Sequence, residues 1–66
     1  MIEPEKGKFY KVKVINKKFD NLFNRTVKVK FTGIMMRGKN PNNSLYLSDC
    51  EILNMISEQD FNQWKV

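Results

Sequence analysis

The residues best placed to do chemistry are lysines set in alternation with valines. Lys11-Val12-Lys13-Val14 and Val27-Lys28-Val29-Lys30 repeat one two-residue period. That is the period of a β-strand with one buried face and one solvated face. Two such strands, once paired, present a basic surface above an apolar floor. Ammonium groups spread in this way match the phosphates of a nucleic-acid backbone. Phe9 falls on the same face as Lys11 and Lys13 and offers a ring on which a base could stack. Tyr46 is a second ring of this kind. Lys17, Lys18 and Arg25 flank the connection that follows the first strand, and Arg37 and Lys39 lie in a later turn. These ten residues without Tyr46 form the candidate nucleic-acid-binding set. The same alternation would also serve a chain that needs only solubility and protected sheet edges.

Catalysis has few materials here. There is no histidine, the commonest general base. Cys50 stands between Asp49 and Glu51, whose charges favour the protonated thiol. It reads as an inert, structural cysteine. Asp49, Glu51 and Asp60 lack the spacing of a cation-binding loop. Gly38-Lys39-Asn40 lacks the upstream glycine and the Ser/Thr of a phosphate-binding loop. The chain is expected to be non-enzymatic, with no catalytic residue, metal or cofactor.

Sixty-six residues predict one small domain, with residues 1–7 as a polar lead-in frayed up to Gly7. Work at the surface suits such a chain better than work in a deep pocket. The net charge is +5, unevenly spread: residues 1–40 carry eleven Lys/Arg and three acids, residues 41–66 one Lys and four acids. A basic half favours nucleic acid, DNA or RNA, or an acidic protein surface. A single cysteine rules out a disulfide within the chain and points to a reducing, cytoplasmic setting. No apolar run approaches the length of a membrane span, so no membrane partner is expected.

These side chains need a scaffold, and the pattern supplies one. Lys8–Ile15 reads as a first strand, with Tyr10, Val12 and Val14 inward. Residues 16–25 form a connection longer than a plain hairpin needs. Its Phe19, Leu22 and Phe23 suggest a loop folded back on the core; the alternative is a short helical turn from Phe19 to Phe23, and in a competing reading the three form a protein-binding patch. Thr26–Met36 is a second strand region, with Gly33 as a bulge or sharp bend. Arg37–Ser44 is a turn rich in Gly, Pro and Asn, and Leu45–Leu47 a third strand. Residues 48–56 allow two readings. Ser48-Asp49-Cys50-Glu51 fits a capping box, whereas Glu51–Ile56 fits a buried strand. Ser57-Glu58-Gln59-Asp60 fits a second helix cap, and Trp64–Val66 a short closing strand. Tyr10, Val12, Val14, Val27, Val29, Phe31, Leu45, Leu47, Ile52 and Trp64 are the expected core.

The expected fold is mainly β, four or five strands with a short helical turn near the C-terminus. The alternative is α+β, a three-stranded antiparallel sheet with a helix over residues 48–64. In layout the first of these resembles the small SH3-like barrels, including the Sm-like and archaeal chromatin-protein variants. Val27-Lys28-Val29-Lys30-Phe31 is similar to a strand of the latter; their later basic strand and C-terminal helix have no counterpart here. The resemblance implies a small binding module. Its partner would be nucleic acid on the lysine face, or a protein on the 16–25 loop. In the second case the chain would be an adaptor or a phage-type inhibitor of a larger protein. Edge strands that pair into a homo-oligomer are a further expectation.

Overall fold

Alternation decides the first two strands. β1 (Phe9–Val14) and β2 (Thr26–Phe31) pair antiparallel, with Tyr10 opposite Val29 and Val12 opposite Val27. The four are buried together with Val14 and Phe31. A one-residue slip would send this whole set to solvent, so burial pins the register. The computed structural model describes residues 3–38 and 44–63, and the expectations for Lys39 and Trp64–Val66 fall outside them.

Gly33 ends a strand instead of bending one. β2 stops at Phe31, Thr32–Met35 turns the chain, and β3 (Met36–Arg37) returns antiparallel to β2. Thr32 closes the turn: its N–H donates to the Met35 carbonyl at 3.0 Å and its hydroxyl to the same oxygen at 3.2 Å. Gly33 has φ +101°, a conformation open to glycine and strained for other residues. The second strand region of the sequence reading is therefore two strands. The third is shorter than expected: β4 (Ser44–Leu45) pairs with β3 and gives way to a 3-10 turn, Leu47–Asp49.

The two readings of residues 48–56 resolve to a strand. β5 (Cys50–Ile56) lies antiparallel to β1, which rules out a single helix over 48–64. Leu53 is the extra residue of a bulge, since Lys11 faces Asn54 while Val12 faces Ile52. Past it, α1 (Glu58–Asn62) starts where the second cap was expected, with Ser57 Oγ accepting the Asp60 N–H at 3.0 Å.

The result is one open, five-stranded antiparallel sheet in the order β4-β3-β2-β1-β5, with a small helix. All five strands contribute to one core, which adds Met36 and Cys50 to the expected residues. Leu47 is 43 % exposed, because the 3-10 turn rotates it off the sheet, and Ile52 is only partly buried. Residues 5–8 are tied down, contrary to the frayed lead-in. Glu5 N–H donates to the Tyr10 hydroxyl at 2.7 Å, and Gly7 N–H to the Phe31 carbonyl at 2.7 Å. The first bond satisfies the one polar atom of a tyrosine that is otherwise core.

Candidate nucleic-acid interface

The outer face of the sheet can be read row by row from the register. Ser44, Arg37, Lys30, Phe9 and Ile56 form one row across all five strands. Lys28, Lys11 and Asn54 form the next, and Thr26, Lys13 and Glu51 the third. Lys11, Lys13, Lys28, Lys30 and Arg37 thus share one surface with Phe9. Arg37 enters through β3, although by sequence it belonged to a turn.

Two like-charged pairs stand directly opposed: Lys11 with Lys28, and Lys30 with Arg37. Side chains so placed have Cβ atoms about 4.5–5.5 Å apart, and like charges there are destabilising. Lys28 is relieved by α1. Its Nζ donates to Asp60 Oδ1 at 3.1 Å and to the Asp60 carbonyl at 3.4 Å. Lys30 Nζ lies 5.7 Å from the centre of the Phe9 ring, within cation–π range. Lys11 and Lys30 remain exposed and Lys13 partly so. Glu51 contributes one carboxylate to the face, opposite Lys13.

Phe9 is not an open platform. Phe61 packs on it, ring centroids 4.8 Å apart and planes tilted by 41°, and Phe61 is itself buried. Asp60 and Phe61 were absent from the candidate set. The sequence signal for them was the Ser57 cap, which starts a helix just where β5 leaves the sheet beside Phe9.

The loop cations lie elsewhere. Lys17 and Lys18 are exposed beyond the end of β1, with Lys18 Nζ 5.2 Å from the Phe19 ring centre. Arg25 is exposed beside Thr26, at the Lys13 end of the sheet. The two alternatives for the loop between them coexist: it makes one turn, with Phe23 N–H donating to the Phe19 carbonyl at 2.7 Å, and it folds back on the core. Phe19 and Leu22 pack against the core, and Phe23 is 38 % exposed. Asn24 takes φ +67° to bring the chain back into β2. Tyr46, the second stacking candidate, is 55 % exposed beside the 3-10 turn.

That turn is organised by a buried carboxylate. Asp49 accepts from Asn16 Nδ2 at 2.7 Å and from the Tyr46 N–H at 3.1 Å, and its carbonyl accepts from the Ile15 N–H at 2.9 Å. The Asn16 bond is the main reason its carboxyl is held below the ordinary value of 3.8, against the opposing effect of burial. Burial, and then the Asp49 charge, push the neighbouring Cys50 thiol up to about 11. Its Sγ lies 3.6 Å from the Tyr46 carbonyl. No group of three or more metal-ligating side chains occurs among the described residues, and no described helix is long and apolar enough to cross a membrane.

No family model, curated protein or solved structure matches the chain.

Proposed function

We propose that this chain is a small nucleic-acid-binding module that works through the outer face of its sheet. The observation that carries the reading is the pair of like-charge oppositions, Lys11 with Lys28 and Lys30 with Arg37. A sheet surface selected for stability alone would place opposite charges or threonines across from one another. A local rule broken in this manner is expected where a surface serves a ligand. Cations on three adjacent strands suit a phosphate backbone laid across the sheet.

The architecture that best accounts for the core is an SH3-like barrel. Val12, Val14 and Val29 are fully buried on the inner face, and among the described residues Phe19 and Leu22 of the 16–25 loop and Ile52 of β5 pack against that core. A sheet that curls over its own inner face covers it without a second layer. Binding is favoured over catalysis because the one nucleophilic thiol is buried and protonated. An unpaired thiol also suits a reducing, cytoplasmic setting. The protein-binding alternative draws on Phe23 alone of its three loop residues, since Phe19 and Leu22 pack inward.

The test is binding of single- and double-stranded oligonucleotides across a salt series. Changing Lys11, Lys13, Lys28 and Lys30 together to Gln is expected to leave the fold intact and weaken binding. Every phosphate that no longer meets a cation flattens the log–log salt slope by about 0.7–0.9. Unchanged affinity in that variant, or no affinity in the parent at low salt, overturns the reading in favour of a protein partner.

A further inference from the structure

We propose that α1 is a displaceable lid that keeps the basic face closed by occupying it as a nucleotide would. The inference rests on the nucleic-acid reading above and concerns regulation of that same face. Two contacts carry it. The Asp60 carboxylate sits on Lys28 at 3.1 Å, where a phosphate oxygen would sit. Phe61 lies on Phe9 at 4.8 Å between centroids, where a base would stack. The anion and the ring are adjacent in sequence, and both land on groups of the face that a nucleic acid would use.

The lid is built to move. It is five residues long, far below the length at which a helix holds itself together in water. Among the contacts that hold it are the Ser57 cap, the half-exposed Lys28–Asp60 pair with its second bond to the Asp60 carbonyl, and the packing of Phe61 on Phe9. A strand of nucleic acid replaces the last two in kind, a phosphate for the Asp60 carboxylate and a base for the buried Phe61 ring. Lys11, Lys30 and Arg37 are exposed with the lid in place, so phosphates can engage them first. Displacement of Asp60 and Phe61 then adds Lys28 and Phe9. Apparent affinity is reduced by the fraction of molecules that are closed.

Binding of a fluorescent oligodeoxythymidine of about 10 nucleotides to the full chain tests this. Asp60→Asn keeps the size of a side chain that is half exposed, and it opens the ion pair. Glu58→Gln removes the same charge from the same helix, away from Lys28. Asp60→Asn is expected to tighten binding about threefold to tenfold more than Glu58→Gln does. In the parent, a saturating oligonucleotide is expected to speed hydrogen exchange at the Phe61 and Gln63 amides, which bond to the Ser57 and Gln59 carbonyls. Binding by the parent with equal effects of the two variants and unchanged exchange overturns the lid and leaves the nucleic-acid reading standing. Weaker binding by Asp60→Asn makes α1 part of the binding surface and also overturns the lid. Absence of binding by the parent and by Asp60→Asn removes both.

Discussion

Asn16 donates from Nδ2 to Asp49 Oδ1 at 2.7 Å, joining the end of β1 to the turn before β5 across 33 positions of sequence. The bond stabilises the ionised carboxylate and so lowers the Asp49 pKa in the folded state. The sign of the linkage follows. Its contribution to stability is complete above the unfolded value of about 3.8 and is lost as pH falls through the lower folded value. Asp49→Asn is expected to cost about 1–3 kcal/mol at neutral pH, because in either orientation its amide nitrogen would face a donor, the Tyr46 N–H or Asn16 Nδ2. Acid titration of stability, followed by circular dichroism, should be flatter in the variant than in the parent. Equal acid sensitivity in the two proteins would refute this role.

Val29 is fully buried at the centre of the sheet, opposite Tyr10. Val29→Ala is expected to reduce stability by about 1–3 kcal/mol in denaturant unfolding, from diminished burial and the space left behind. A reduction below about 0.5 kcal/mol would mean that the site collapses without a cavity.

Cys50 should behave as packing and not as a reagent. With its thiol raised to about 11, almost none is ionised at pH 8. Alkylation by iodoacetamide is expected to be slow in the folded chain and fast in denaturant. Cys50→Ser should leave oligonucleotide affinity unchanged, at a cost of about 1–3 kcal/mol for the buried hydroxyl. Rapid labelling of the native protein would contradict the assignment.

Salt should act on folding and on binding with opposite signs. Screening relieves the Lys11–Lys28 and Lys30–Arg37 oppositions, so the thermal midpoint of the free chain should rise with ionic strength. Lys11→Gln should stabilise the fold by about 0.2–1 kcal/mol while weakening oligonucleotide binding. A midpoint that falls with salt would show that these rows are not under strain.

Local signals in the sequence carried β1, β2, the Phe19–Phe23 turn and the Ser57 cap. Each rests on residues within one strand or one turn, where a period or a cap needs no knowledge of the rest. What was not legible depends on which distant segment arrives beside which. Met36 reads as one apolar residue among three, and only pairing with Phe31 and Leu45 makes it core. Leu47 alternates correctly for a strand, yet the Asp49 carboxylate caps the chain into a turn one residue earlier. On the candidate face, the two strands of lysines were visible from alternation alone. Arg37 could be placed there only through the β2–β3 register. The cover supplied by Asp60 and Phe61 had no pattern of its own, since a five-residue helix carries no stripe long enough to say which way it faces.

The central position of β1 has a consequence for how the chain folds. One neighbour, β2, is close in sequence and forms with it a hairpin that can appear early. The other, β5, begins at Cys50, and residues 15 to 49 lie between the ends that must meet. A hairpin alone leaves the inner face of Tyr10, Val12 and Val14 short of cover, and two strands are at best marginal in water. Closure of that long connection, a step between segments far apart in sequence, is expected to be slower than formation of the hairpin. During synthesis, the chain cannot complete its core until Ile56 has emerged. Until then the face of β1 that pairs with β5 is an unguarded edge, open to any other strand that reaches it first.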